Sequence, residues 1–518
     1  MPLRRTLAVL VMRVLSVALV LPLPVTAAGK KPETPHFASQ VAPVLRTYCV
    51  SCHGGKKPRG HLALDRYKDE TIALQNAEVW DRVARVLRSG DMPPPKRPRP
   101  KRTELAGVLS WIDTKTAELD CQGGRPNPGR VTLRRLNRAE YNNTIRDLIG
   151  VSFHPAEDFP QDEVGYGFDN IGDVLSLPPL LFEKYLAAAE KIVTTAWQKP
   201  ATRSRILFRQ PKSPDDLDCA RQVLERFATR AYRRPLYRGE VDRLVSLVQL
   251  ARKQGDSLDQ GIQLAAEAVL VSPHFLFRVE RDGRFGKGPH RINEFELASR
   301  LSYFLWSSMP DEELSQLARR GKLRQNLEAQ VRRMLKDPKS QALVENFADQ
   351  WLELRNLKNA NPNPAQFPSF DEALRSAMQK ETELYFASIM REDRSILEFI
   401  DSDWTFVNER LAKHYGIPGV KGNQFRRVKL TDGVRGGILT QASILTVTSN
   451  PTRTSPVKRG KWILENIFNA APPPPPPDAG QLKETKEAIL SGSLRQRTEQ
   501  HRANPRCASC HARMDPLG

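Results

Sequence analysis

Two five-residue stretches, Cys49-Val50-Ser51-Cys52-His53 and Cys507-Ala508-Ser509-Cys510-His511, put two thiols and an imidazole into one turn of chain. Thiols spaced in this way add across the two vinyl groups of a haem, and the histidine that follows takes the iron from one side. A zinc site built on the same Cys-x-x-Cys needs two further ligands close by, and neither stretch has a second such pair or a histidine pair near it. The spacing therefore predicts two covalently bound c-type haems. Cys49, Cys52, Cys507 and Cys510 are the attachment points, and His53 and His511 the proximal iron ligands.

A sixth ligand decides whether such an iron is closed or open. Met92 stands 39 residues after His53, in Ser89-Gly90-Asp91-Met92-Pro93-Pro94-Pro95, where the prolines stiffen a loop that presents sulfur. A thioether there raises the reduction potential and favours electron transfer. The competing reading is a methionine in a proline-rich surface loop. His61 is a rival ligand, but eight residues from His53 it has little chain with which to reach the far face. For the second site, Met514 lies three residues after His511 and falls on the proximal side. Met309, His414 and His501 are distant alternatives, and a five-coordinate iron open to small ligands is another.

These groups must be positioned by helices. Phe37 to Leu45 places apolar side chains on one face of a short helix leading into Cys49, and Thr103 to Leu119 forms a second amphipathic helix. Gly123 to Gly129 reads as a linker. Beyond it, Leu133, Leu136, Ile145 and Leu148 fit one helix, and Leu181, Phe182, Tyr185, Leu186, Ile192 and Val193 another. Asn293 to Glu296 and Ser369 to Glu372 read as capping boxes. Pro472 to Pro477 forms a stiff spacer before the second Cys-x-x-Cys-His. The expected fold is mainly α: a small cytochrome c-like domain at 34–120, helical regions at 131–285 and 290–425, and a C-terminal haem-attachment segment at 426–518.

The first 27 residues read as a signal peptide, with Arg4, Arg5 and Arg13 before an apolar run and Val25-Thr26-Ala27 for cleavage. Arg4-Arg5 is the only part of a twin-arginine signal present, so general secretion is the better fit. Export predicts a periplasmic or cell-surface protein and argues against nucleic acid as partner. The three arginines lost with the signal take the formal charge from +21 to +18. Such a surface suits an acidic redox partner, anionic lipid or acidic polysaccharide. No later segment reads as transmembrane, so no integral membrane domain is expected after cleavage. Cys121 and Cys219, the two cysteines left over, form a disulfide or stay as buried thiols. The loop Gly165 to Asn170 reads as structural turns or as a pocket wall.

Several longer stretches carry a resemblance: Arg134 to Thr144, Gly167 to Asn170, Ala231 to Leu236, Val271 to Glu280, Leu297 to Trp306, Thr454 to Trp462 and Cys507 to Gly518. In these the chain resembles the large planctomycete-type multidomain cytochrome c proteins, where a small cytochrome domain precedes a string of domains of unknown function. The resemblance implies an exported haem protein serving redox steps in polymer breakdown. Family members continue past the equivalent of Asp515 to Gly518 into a further domain, so the chain is expected to be a truncated product or fragment.

The sequence thus predicts a haem-binding electron-transfer protein. Two alternatives stand beside it. One is a dihaem peroxidase or oxidase with an open C-terminal haem. The other is a polysaccharide- or cell-surface-binding module carrying a cytochrome domain.

Overall fold

Phe37, Val41, Val44 and Leu45 recur at helical spacing, and all four are buried in a helical stretch that runs from Phe37 to Cys49. Its turns are partly widened, so that Val50 N–H bonds Leu45 O rather than the residue after it. The computed structural model describes residues 36–88, 90, 92–94, 97–121, 132–280, 290–431, 433–472, 493–502 and 505–518. The expected signal peptide, the Gly123 to Gly129 linker and Pro473 to Pro477 lie outside them. So do the side chains of Cys121, His501, Cys507 and Cys510. The chain divides into two compact units, Met1–Arg125 and Pro126–Gly518.

In the first unit the helical stretch to Cys49 packs on Ala77–Arg88 and Arg102–Cys121 through three aromatics that meet edge to face or tilted. Phe37 lies 5.9 Å from Trp80 and 5.1 Å from Trp111, ring centre to ring centre. Glu70 Oε2 ties the cluster together, accepting hydrogen bonds from Trp111 Nε1 (2.9 Å) and Phe37 N–H (3.4 Å). Trp80 and Trp111 are both fully buried, so truncating either to alanine should cost about 3–5 kcal/mol.

The second unit is also mainly α. Arg138–Ile149, Pro179–Trp197, Leu217–Ala231, Glu240–Lys253 and Leu258–Leu270 close around Tyr141, Tyr185, Phe227 and Phe275. The helix expected to include Leu133 and Leu136 starts later, because Asn137 caps it in a reciprocal pair with Glu140. Leu133 is exposed and Leu136 enters the core from the preceding segment. Phe182 and Leu186, assigned to the apolar face of their helix, are exposed. The box at Asn293 and Glu296 forms as read. At the helix Glu372–Arg391 the cap is Asp371, accepting from Leu374 N–H, and not Ser369. Two short antiparallel ribbons were not foreseen: Arg134–Arg135 with Phe277–Arg278, and Trp404–Val407 with Arg426–Lys429.

The stretches that carry the resemblance act as latches. Buried Arg135 pairs with Asp162 at 2.8 Å and donates to Ser176 O and Tyr185 Oη. Arg233, also buried, donates to the carbonyls of His274, Phe275 and Phe277. Asp169, in the glycine-rich loop, joins Asn137 Nδ2 (2.8 Å) to Arg355 Nη1 (2.6 Å). That loop is therefore a clasp between elements. Removing one partner of such a pair leaves a buried charge uncompensated. Among the described residues no helix is long and apolar enough to cross a membrane.

Candidate haem-attachment sites

The helical stretch ends on the first thiol. Cys52 N–H and His53 N–H both bond Cys49 O, at 3.1 and 2.9 Å, so both thiols and the imidazole stay within one tight turn. Cys49 and Cys52 are free and half-buried. Burial, with the neighbouring Cys52 sulfur, pushes the Cys49 thiol up to about 11. Among the described residues no three His, Cys, Asp or Glu side chains converge to hold a metal ion.

His53 is oriented by a backbone carbonyl. Its Nδ1 lies 2.9 Å from Arg59 O, and with a proton on Nδ1 its Nε2 lone pair is left for iron. The chain loops back to supply that carbonyl: Arg59 N–H bonds Cys52 O (2.9 Å), and Leu64 N–H bonds His53 O (2.6 Å). Gly54 is required here, because a Cβ would meet Val50 O at 2.8 Å and Val50 Cγ1 at 2.9 Å. His61 is exposed, at a left-handed φ of 52°.

Met92 is 38% exposed, so its sulfur is not committed to the unit's core. The backbone around it is clamped. Met92 N–H bonds Val86 O, and Arg99 Nη2 donates to Gly90 O (3.0 Å) and Pro93 O (2.9 Å) on either side. Sequence reasoning missed Arg99, since nothing local marks an arginine that binds carbonyls six and nine residues away.

The second motif lies on a helix, Pro505–Met514, so residues 507, 510 and 511 share one face by helical spacing. His511 Nδ1 lies 2.9 Å from Asp515 Oδ1. Asp515 was also missed, although its place four residues after a helical histidine is a readable signal. The segment docks on the helix Pro456–Trp462. A Cβ on Gly460 would lie 1.9 Å from Met514 O, and one on Gly518 would lie 1.8 Å from Pro456 O. Met514 is buried in this contact.

Among the described residues, two buried donors on these segments, Arg459 Nε and Trp462 Nε1, have no hydrogen-bond partner, and Asp515 Oδ2 has only the Arg502 guanidinium, at 3.9 Å. Burial also lowers the Arg459 guanidinium from its ordinary value. Unpaired buried donors are costly, and the acceptor oxygens of a haem's propionates would suit the two donors, Arg459 Nε and Trp462 Nε1. Of the more distant candidates, Met309 belongs to the core cluster of Tyr141 and Tyr303. His414 instead lines a cavity of about 510 Å³ with Arg435 and Phe370. Cys219 is a fully buried free thiol that donates to Arg209 O.

Comparison with known families agrees with this division. A model described as Planctomycete cytochrome C matches residues 49–96. Models described as protein of unknown function match 134–198 (DUF1587), 219–280 (DUF1595), 292–417 (DUF1592) and 435–518 (DUF1588). The last takes in both the Gly460 helix and the second Cys-x-x-Cys-His. No curated protein and no solved structure matches the chain.

Proposed function

Because the chain belongs to the planctomycete multidomain cytochrome c family, we propose that it is an exported electron-transfer protein with two c-type haems, at Cys49/Cys52 and Cys507/Cys510. Iron bound in this way supplies reversible one-electron exchange between ferrous and ferric states. The reading rests above all on His53: with its Nδ1 proton given to Arg59 O, its Nε2 would be left to hold iron.

Met92 would add a thioether ligand at the first site. Its clamped backbone and exposed side chain support that role, and a thioether there would keep the potential high. Arg459 and Trp462 would hold the propionates of the second haem, supported by buried donors that have no partner among the described residues. The carboxylate beside His511 would lower the potential of that haem. The two sites would then differ in potential. The N-terminal sequence, which reads as a signal peptide, supports a periplasmic or cell-surface location. The basic chain, +21 in all, suits an acidic redox partner.

Spectra on protein from a host that attaches haem test this. Oxidised protein should show the weak near-infrared sulfur-to-iron band, and Met92→Ala should abolish it and lower one potential. Survival of both in the variant assigns the ligand elsewhere. Cyanide tests closure: a response from neither haem fits a pure carrier. A response confined to the haem lost with Cys507→Ala and Cys510→Ala favours an oxidase or peroxidase at that site.

A further inference from the structure

The C-terminal end of the helix Arg138–Ile149 borders a groove of about 730 Å³. Its walls come from Pro200–Ile206, Leu217–Ala231 and the segment around Met309. It shares no residue with either Cys-x-x-Cys-His. Five basic residues line it: Arg146, Arg205, Arg226, Arg230 and Lys339. The three carboxylates in the wall are already engaged. Asp147 takes Arg146 at 2.9 Å, Ser308 Oγ at 2.8 Å and Lys339 at 3.5 Å. Asp311 caps the following helix and pairs with Arg333 at 2.7 Å, and Glu312 pairs with Arg319.

Arg205, Arg226 and Arg230 therefore face the groove with no carboxylate partner among the described residues. The plain alternative is that they serve as a helix cap. Arg205 and Arg230 do donate to the terminal carbonyls of Asp147 and Leu148. That accounts for only part of the five N–H donors each guanidinium carries, and it does not involve Arg226. Arg226 lies over the Phe208 ring at 4.5 Å and makes no hydrogen bond within the described residues. Burial, and then the charges of Arg226 and Arg205, lower the Arg230 guanidinium, against a smaller opposing pull from the Glu312 carboxylate. Three like charges crowded in this way would be relieved by one multiply charged anion.

We propose that this groove binds a tetrahedral oxyanion, phosphate or sulfate, carried as an ester on a sugar-sized molecule. Planar guanidinium forks match such oxygens two at a time. The volume lies in the range of small-molecule sites and well above that of the bare ion. Beside the arginines, Ser204 and Ser315 offer hydroxyls, and Met309 with Pro310 an apolar strip for the uncharged body.

The full chain, titrated calorimetrically at fixed ionic strength, tests this with inorganic phosphate, inorganic sulfate, glucose 6-phosphate, glucose 6-sulfate and glucose. At least one ester should saturate a single site more tightly than its free ion, and the ester preferred names the source. Glucose should not bind. Arg226→Gln, which loses no hydrogen bond, should weaken binding about tenfold or more, while Arg226→Lys keeps part of it. Arg332→Gln, on an exposed arginine paired with Glu328 and Asp393, should change nothing. Absence of saturable binding overturns the proposal. So does binding that Arg226→Gln and Arg332→Gln weaken equally, which would mark a general attraction to a basic surface.

Discussion

His511 Nδ1 lies 2.9 Å from the carboxylate of Asp515, whereas His53 Nδ1 lies at the same distance from an uncharged backbone carbonyl, that of Arg59. A carboxylate draws the Nδ1 proton more strongly, makes Nε2 a better donor and stabilises ferric iron. Asp515→Asn should therefore raise the potential of one haem by tens of millivolts and leave the other unchanged, read by spectroelectrochemistry. A purely structural role for Asp515 would move stability without moving either potential.

Gly460 is the docking point of the C-terminal segment. Its close approach to Met514 O leaves no room for a methyl group. Gly460→Ala should make the region after residue 460 markedly more sensitive to limited proteolysis. The Phe37–Trp80–Trp111 cluster belongs to the other unit and should be untouched. Unchanged protection of the C-terminal fragments would contradict the packing described.

Stability should fall as pH rises across the weakly acidic range. Burial pushes Glu381 from 4.5 to about 7, against the hydrogen bonds from Thr405 and Tyr415 that act to lower it. Asp349 rises from 3.8 to about 7, mainly by burial and then by the Glu383 charge. A carboxyl raised in the folded state contributes stability that is fully present below its unfolded pKa. That stability is lost as pH climbs through the folded value. For Glu381 the window is pH 4.5 to 7 and the loss on the order of 3 kcal/mol. Glu392, held at about 2 by Arg427, titrates below that window. Glu381→Gln should flatten much of the slope in denaturant-unfolding midpoints between pH 5 and 7.5, whatever it does to absolute stability. An unaltered slope would place the ionisation elsewhere.

What the sequence made legible was local. The Cys49–His53 spacing is itself the chemistry, and the caps at Asn137 and Asn293 act within three residues. Helical periodicity located Phe37 to Cys49 because its apolar residues Phe37, Val41, Val44 and Leu45 are all buried on one face. Where reading failed, the partner was distant. Arg134 and Arg135 pair with Phe277 and Arg278, some 140 positions away, so no hairpin signal marks the ribbon. Buried arginines such as Arg135 and Arg233 look like surface charges until their acceptors are known. Ser369 lost the capping role to Asp371 because both residues suit a helix start, and it is the Asp371 carboxylate that accepts from Leu374 N–H.

The central claim is two covalently attached haems in one chain. Intact-protein mass spectrometry after expression in a host that matures c-type cytochromes tests it most directly. The chain should carry two added haem masses that survive denaturation. Cys49→Ala with Cys52→Ala should remove one, and Cys507→Ala with Cys510→Ala the other. A polypeptide of unmodified mass from such a host would contradict the account.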